Sequence, residues 1–531
     1  MSFISNRAKS MREYFNHEAK YVGKQKANPF HKTKNPQGII NMGTSENTMI
    51  YDLLKVKFEE KESGALLPEH TQYVCGEGLE NFREAIADFL NDHMEPVEPI
   101  LPENLIVSNG CTPLVDTLAF SLADEGEGLL IPCPFYGSFH LDLQSRSRVI
   151  PFPVELSSKV GPGETQPFQL TVTRLESALK KATEQGVKIR GLLLCNPNNP
   201  LGNIYSEELL QDCLDFAFRH SLHVIVDEIY MMCGYREGCS VTNVMSLKNI
   251  PDKEMVHVLW GFSKDFGISG FRCGVLHTLN KELFRVISSG YQRFHDIPAQ
   301  TQASYTMDWY RISSELFEVM TEVTILIKMI FYKPPIFNFF LWFAEWLDKT
   351  FFPTNKRGLR NAYQMACDAL GEVGIPFLPG ECGLFIWVDF RELLPTSSFE
   401  DEMHLLHCMT THGVFIFPGS YFCCPEPGWF RIIFAMETDV LQLGLSRIQQ
   451  TVREVRAGLA SKLDERVALV QREENAGLVE SEEVGESLED LVRTLHQQIK
   501  NSDWLKENTA EKWMEDNPEL AKAFRKQNAE K

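Results

Sequence analysis

Thirteen cysteines are scattered along 531 residues with no Cys-x-x-Cys pair and no regular spacing. That pattern argues against a disulfide framework or a zinc site, and it predicts reduced thiols, a cytoplasmic location and no metal. Positive charge is also in short supply. Lys and Arg number 52 against 72 Asp and Glu, for a net charge of -20. Nucleic acid and anionic membrane repel such a surface, so neither is expected as a general partner. Residues 1–28 are polar and basic and lack the apolar run of a secretory signal. An unbroken membrane span is missing too. The most apolar stretch, 311–341, is interrupted by Lys328, Lys333 and Pro334-Pro335, whereas a bilayer helix needs about 20 apolar residues in a row. The segment is read as an insertion and not as a membrane anchor.

What is present is a long α/β pattern. The chain is 44% hydrophobic, with enough length for a large core and more than one domain. Gly128–Pro132, Gly191–Cys195, Leu222–Asp227, Val256–Trp260 and Arg272–Leu276 read as buried strands. Helical patterns lie between them, as at Leu175–Gln185 and Ser206–His220. Strands alternating with helices predict a mainly parallel sheet covered by helices on both faces. Ligands in such sheets sit at the carboxyl ends of the strands. Further on, Phe385–Asp389, Val414–Phe417 and Phe430–Phe434 read as strands of a smaller α/β domain. The expected division is an arm over 1–38, a large cofactor-binding domain over 39–310, the insertion over 311–341, a smaller domain over 342–456 and a charged tail over 457–531.

The residues with chemical promise fall at the predicted strand ends. Ser263-Lys264-Asp265-Phe266-Gly267 follows one buried strand, with Arg272 eight residues past the lysine. A partly desolvated lysine loses its proton readily, as amine chemistry on a carbonyl requires. Asp227 closes another strand; opposite a pyridine nitrogen it would keep that nitrogen protonated, an attraction on the order of 4 kcal/mol at about 4 Å. Tyr230 lies within reach of a ring hydroxyl. Asn196-Pro197-Asn198-Asn199-Pro200-Leu201-Gly202 is a turn whose Asn amide can donate to a phenolate oxygen. Ser108-Asn109-Gly110-Cys111-Thr112-Pro113 precedes a helical pattern over Leu114–Leu122, and free amides at a helix start suit a phosphate. Tyr136, in Pro134-Phe135-Tyr136-Gly137, offers an aromatic face to a planar ring.

The joint order of Asn196–Gly202, Asp227-Glu228-Ile229-Tyr230, Ser263–Gly267 and Gly428-Trp429-Phe430-Arg431 resembles the aminocyclopropane-carboxylate synthase-like branch of the class I/II aminotransferases. The resemblance covers roughly residues 38 to 310 and 345 to 455. It implies the aspartate-aminotransferase fold, a homodimer, pyridoxal 5'-phosphate as cofactor and an amino acid as substrate. It also implies roles. Lys264 bonds the cofactor and moves the proton, and Asp227 pairs with the pyridinium. Asn199 and Tyr230 hold the ring hydroxyl, and Tyr136 stacks on the ring. Gly110, Cys111, Thr112 and Arg272 bind the phosphate. Arg431 clamps the substrate carboxylate as a bidentate fork. Asn41-Met42-Gly43-Thr44-Ser45-Glu46-Asn47 looks like the branch's N-terminal motif and puts Glu46 beside the substrate.

Two positions depart from the pattern. Gly261 stands where the family carries a phosphate-binding Ser, a loss of about 1 kcal/mol for one hydroxyl. Cys75-Gly76-Glu77-Gly78 stands where the synthases carry a substrate-binding Tyr, with Tyr73 close by. Transamination and elimination share every step up to the α-carbanion, and these residues leave that choice open. A catalytically inactive cofactor-binding or scaffold homologue is the rival reading.

Overall fold

The computed structural model describes residues 16–58, 73, 75–299, 301–302 and 346–475. The predicted insertion at 311–341 and most of the tail lie outside them. Strand β1 (Ile40–Asn41) comes first, and seven strands of one sheet follow: β2 (Leu105–Ser108), β3 (Gly128–Cys133), β4 (Ile150–Glu155), β5 (Ile189–Cys195), β6 (His223–Asp227), β7 (Val256–Gly261) and β8 (Gly274–Thr278). Their order across the sheet is β2-β8-β7-β6-β5-β3-β4. Every pair is parallel except the two made by β8.

The strands read as continuous apolar runs because both faces are covered. Successive side chains point to opposite faces. Leu192, Leu194, Val224 and Val226 therefore enter one core, with the helices Glu80–Met94, Val172–Glu184 and Glu207–Arg219. Leu193, Ile225, Leu259 and Ile131 enter the other, with helices Cys111–Leu122 and Phe139–Gln144. Thr171 and Ser206 start two of these helices by accepting the amides of Arg174 and Leu209 at 3.3 and 3.1 Å, a capping bond worth about 1 kcal/mol.

A second layer set follows. The strands β9 (Phe377–Leu378), β10 (Phe385–Asp389), β12 (Phe417–Pro418) and β13 (Trp429–Ile433) form an antiparallel sheet in the order β12-β13-β10-β9. Strand β11 (Val414–Phe415) pairs instead with β1, in parallel, so the N-terminal segment is built onto this half of the molecule. Helices Phe352–Glu372, Phe399–Thr411 and Thr438–Asn475 belong here, the last running past position 457.

Two strand assignments need correction. Val414–Phe417 is not one strand, since the chain leaves one sheet and joins another at Ile416; an all-apolar run hides that change. Arg272–Leu276 begins two residues too early. Arg272 has a left-handed φ of 53° and is exposed, with its Nη1 donating back to the Ser269 carbonyl at 3.0 Å. It ends a tight turn before β8 starts.

At the sheet end opposite the site, His223 Nδ1 lies 3.0 Å from His257 Nε2, and His257 Nδ1 lies 2.9 Å from Thr278 Oγ1. Burial, reinforced by His223 and His277, pushes His257 down to about 3. Burial and then Lys281 push His277 down to about 4. An unfolded chain titrates histidine near 6.5. The folded protein thus binds fewer protons than the unfolded one below that pH. This stability is complete above pH 6.5 and is lost as pH falls toward 4 and 3. Urea denaturation from pH 7 to 4.5 should show a shallower acid loss for His257→Gln than for the parent. Identical slopes would contradict this account.

Candidate active site

Loops leaving the carboxyl ends of β2, β3, β5, β6 and β7 carry most of the predicted site residues to one end of the large sheet. Lys264 sits in the short turn Phe262–Asp265, directly after β7. Its neighbour Asp265 is fully buried and ties that turn down. Asp265 accepts from the Met232 amide at 3.0 Å, Trp260 Nε1 at 2.9 Å and Cys233 Sγ at 3.2 Å. The lysine turn and the loop after Asp227 are thereby held together. Lys264 Nζ donates to the Ser45 carbonyl at 2.5 Å. Burial, then the Arg431 charge, lowers Lys264 to about 8, with Glu46 acting in the opposite sense.

Asp227 ends β6 and is 6% exposed. Its Oδ1 accepts from the Ile229 amide at 3.3 Å, and among the described residues its Oδ2 accepts nothing. Burial raises Asp227 to about 7, against the pull of Ile229 N–H and Lys264. An unpaired buried carboxylate resists ionising, and a cation on the free oxygen would reverse that. Tyr230 is buried with its hydroxyl 3.1 Å from Ser45 Oγ. Burial drives its phenol well above the usual range, so it stays a neutral donor.

Arg431 lies in the middle of β13, is 2% exposed, and is fixed from every side. Nη1 donates to Asn199 Oδ1 at 2.8 Å and Nη2 to the Gly43 carbonyl at 2.6 Å. The guanidinium carbon stands 4.7 Å from the Phe422 ring centre and 5.2 Å from that of Phe385. Among the described residues its Nε is buried without a partner, and each Nη nitrogen keeps a second N–H beyond the one bond it makes. A buried cation with unused donors is suited to an anionic ligand. The bond from Arg431 also orients Asn199, whose Nδ2 donates to no protein atom among the described residues.

The residues expected at a phosphate form a converging set of backbones. Helix Cys111–Leu122 starts at Gly110, and among the described residues no side chain caps it, which leaves its first amides available. Gly110 has φ +98°, and a Cβ there would stand 2.5 Å from Arg272 Nη2. Gly110 and Arg272 are therefore in close approach, with Cys111 and Thr112 next along the chain. A cleft of 670 Å³ lined by Asn109, Gly270, Arg272, Asp296 and Pro298 opens beside them. Tyr136 follows β3, and burial raises its phenol above the usual range.

Two predicted residues stand apart. Glu46 is exposed, although its charge reaches Lys264. Tyr73 is fully exposed, and no interaction among the described residues joins it to the site. Other participants were missed. Ser45 and Gly43 lie inside the Asn41–Asn47 motif, yet they contribute backbone carbonyls that no residue type announces. Tyr421 hydrogen-bonds Ser138 across 3.2 Å and stacks on Phe417 at 4.2 Å. It joins the two halves of the molecule beside Tyr136, and its sequence surroundings carry no signal.

The chain matches the family model described as "Aminotransferase class I and II" over residues 38–319 and 343–448. It is 38% identical over 425 residues to the bovine (Bos taurus) 1-aminocyclopropane-1-carboxylate synthase-like protein 1, covering 80% of this chain and 78% of that protein. It is also 38% identical over 435 residues to a human (Homo sapiens) protein named "Probable inactive 1-aminocyclopropane-1-carboxylate synthase-like protein 2", covering 82% and 70%. Among solved structures, the Thermus thermophilus aspartate aminotransferase with maleate superposes with a TM-score of 0.62 at 17% identity, covering 85% of this chain and 100% of that one. At that identity the likeness speaks for the fold.

Proposed function

The chain belongs to the class I and II aminotransferase family, and from that premise we propose that it is a pyridoxal-phosphate-dependent enzyme acting on an α-amino acid. One observation carries the reading: Lys264 bonds the Ser45 carbonyl, Tyr230 the Ser45 hydroxyl, and Arg431 both the Gly43 carbonyl and Asn199, which gathers lysine, phenol, amide and arginine on one loop.

The residues fit the cofactor group by group. The glycine cradle at Gly110, the free helix amides and Arg272 suit the phosphate. The unused Asp227 Oδ2 suits a pyridinium N–H. Asn199 Nδ2 and the Tyr230 hydroxyl suit the ring oxygen, and Tyr136 the ring face. When bound, pyridoxal phosphate supplies an aldehyde that captures amines and a ring that accepts the electron pair released at the α-carbon.

The protein's own part follows from its geometry. Arg431 takes the substrate carboxylate through the guanidinium N–H groups that its protein partners leave unused and so orients the α-carbon for Lys264. Lys264 Nζ, readily deprotonated, removes the α-proton and returns it. Asp227 holds positive charge at the ring nitrogen. Tyr230 and Asn199 fix the ring plane. Return of the proton away from the α-carbon, with hydrolytic release of a 2-oxo acid and the reverse sequence on a second 2-oxo acid, would complete a transamination; departure of a β or γ substituent with its bonding electrons would complete an elimination. The exposed Tyr73 fits a homodimer in which the family's shared interface covers it, and thirteen free thiols fit a cytoplasmic location. Light scattering at a single-chain mass would remove the dimer from this reading. Among the described residues no helix is long and apolar enough to cross a membrane.

Arg431→Lys tests substrate recognition. Lysine is a point charge and cannot reproduce the fork or the stack between Phe385 and Phe422. Amino-acid affinity should fall roughly 10- to 100-fold, the equivalent of about 1.5–3 kcal/mol for a charged hydrogen bond, while cofactor absorbance persists. The measurement is a spectral titration across the amino acids, with carboxylate-free amines as controls. Equal responses to both classes would defeat the assignment.

A second reading, a cofactor-binding homologue without turnover, is favoured by Gly261 and by the human relative's name. A cofactor spectrum that no amino acid changes would establish it.

A further inference from the structure

The floor beneath the phosphate-directed amides is made of glycine backbone and one sulfur. Gly261, the last residue of β7, pairs directly with Gly274, the first of β8. A Cβ on Gly274 would lie 2.4 Å from the Gly110 carbonyl carbon and 2.6 Å from the Cys111 nitrogen. A Cβ on Gly261 would lie 2.8 Å from the Cys273 carbonyl oxygen, 3.2 Å from Cys111 Sγ and 3.2 Å from Gly274 Cα. Three backbones thus converge at contact distance: the helix start, the end of the lysine strand and the strand after Arg272. The side chain wedged among them is Cys111. Its Sγ donates to the Trp260 carbonyl at 3.2 Å. Burial keeps the thiol protonated, well above its usual pKa, so it acts as a donor and a spacer and not as a thiolate.

We infer that Cys111 is a positioning residue for the cofactor phosphate, and that its sulfur and a side chain at position 261 compete for the same space. The thiol pins the first turn of helix Cys111–Leu122 to the strand that ends just before the Lys264 turn. The phosphate-binding amides and the lysine are thereby registered to each other through one bond. Position 261 is hemmed in from two sides, since a Cβ there would meet the Cys273 carbonyl oxygen at 2.8 Å and the Cys111 sulfur at 3.2 Å. A hydroxyl at 261, expected to strengthen phosphate binding, instead drives β7 against the Cys273 carbonyl. That carbonyl accepts the Phe262 amide at 3.2 Å, one residue beyond Gly261. The inference rests on the proposed use of pyridoxal phosphate.

The test is a double-mutant cycle on the full chain, read as pyridoxal-phosphate dissociation constants from absorbance titration, with inorganic phosphate as competitor. Gly261→Ser should weaken cofactor binding about tenfold, within the usual penalty for overpacking a close contact. Cys111→Ala should weaken it by a smaller factor, roughly threefold, as expected for one weak hydrogen bond. Cys111→Ser, which keeps a donor for the Trp260 carbonyl, should recover part of that loss. In the double variant Gly261→Ser/Cys111→Ala, the hydroxyl can turn into the sulfur's space while the Cys273 carbonyl still crowds the Cβ, and binding should be about twofold or more tighter than in Gly261→Ser alone. The inorganic-phosphate constants should follow the same ranking, and melting temperatures without cofactor identify any variant that fails to fold. Tighter or unchanged binding in Gly261→Ser overturns the inference, as does a double variant whose loss is the product of the single losses. A wild-type chain that binds no cofactor overturns the proposed function itself, and this inference with it.

Discussion

Lys264→Ala should react with amino acids about 10⁴-fold more slowly than the parent, the upper range for losing a positioned proton-transfer group, and it should carry no covalently attached cofactor. Lys264 is in a turn fixed by Asp265, and among the described residues its amine makes one hydrogen bond, to the Ser45 carbonyl. Truncation therefore removes the reacting group and leaves the supports of the turn in place. Borohydride reduction of the loaded parent, followed by peptide mapping, should put the label on Lys264. The variant should still bind pyridoxal phosphate reversibly, through the phosphate cup and Asp227, and give the spectrum of the free aldehyde. A label on another lysine, or full-rate spectral change in the variant, would refute the assignment.

Asp227→Asn should slow the same spectral change about 10³-fold. The basis is an attraction of about 4 kcal/mol between a carboxylate and a pyridinium at about 4 Å and an effective dielectric of 20, at 1.36 kcal/mol per tenfold in rate. Asparagine keeps the shape and the bond from Ile229 N–H but cannot hold a charged ring nitrogen. Stability should move in the opposite direction. The Asp227 carboxyl is raised in the folded protein to about 7 from 3.8, chiefly by burial. The folded state therefore binds the extra proton between those pH values. Its contribution is favourable below 3.8 and is lost as pH rises through 7. Without cofactor, Asp227→Asn should melt higher than the parent at pH 8, with the gap closing toward pH 4. Cofactor should then raise the melting temperature of the parent more than that of the variant. A variant less stable than the parent at pH 8 without cofactor, or one with parental rates, would remove Asp227 from this role.

Much of the site was legible because its residues stand at strand ends in short, ordered segments. Lys264, Asp227, Tyr230, Asn199 and the Gly110–Thr112 turn each follow a buried apolar run, and a run of that kind ends where the chain leaves the sheet. Tyr421, Phe422 and Phe385 were not legible. Tyr421 reaches Tyr136 from the far half of the chain, while Phe422 and Phe385 meet Arg431 from separate segments of the smaller domain, contacts that no local period records. The split of Val414–Phe417 was hidden for a related reason, since two short strands in different sheets can be equally apolar.

The sequence by itself determined the alternation of strand and helix, the burial of both sheet faces and the residue types at the strand ends. Those follow from side-chain periodicity and from local rules of capping and turns. The tertiary structure alone decided which charges feel one another. It put Lys264 under the field of Arg431, left Asp227 with an unused oxygen and gave Arg431 an orphaned Nε. It also revealed that Gly261 lacks a side chain because Cys111 sulfur and the Cys273 carbonyl occupy the space. Desolvation and close packing depend on what surrounds a group in three dimensions, and neighbours distant along the chain supply most of that surrounding.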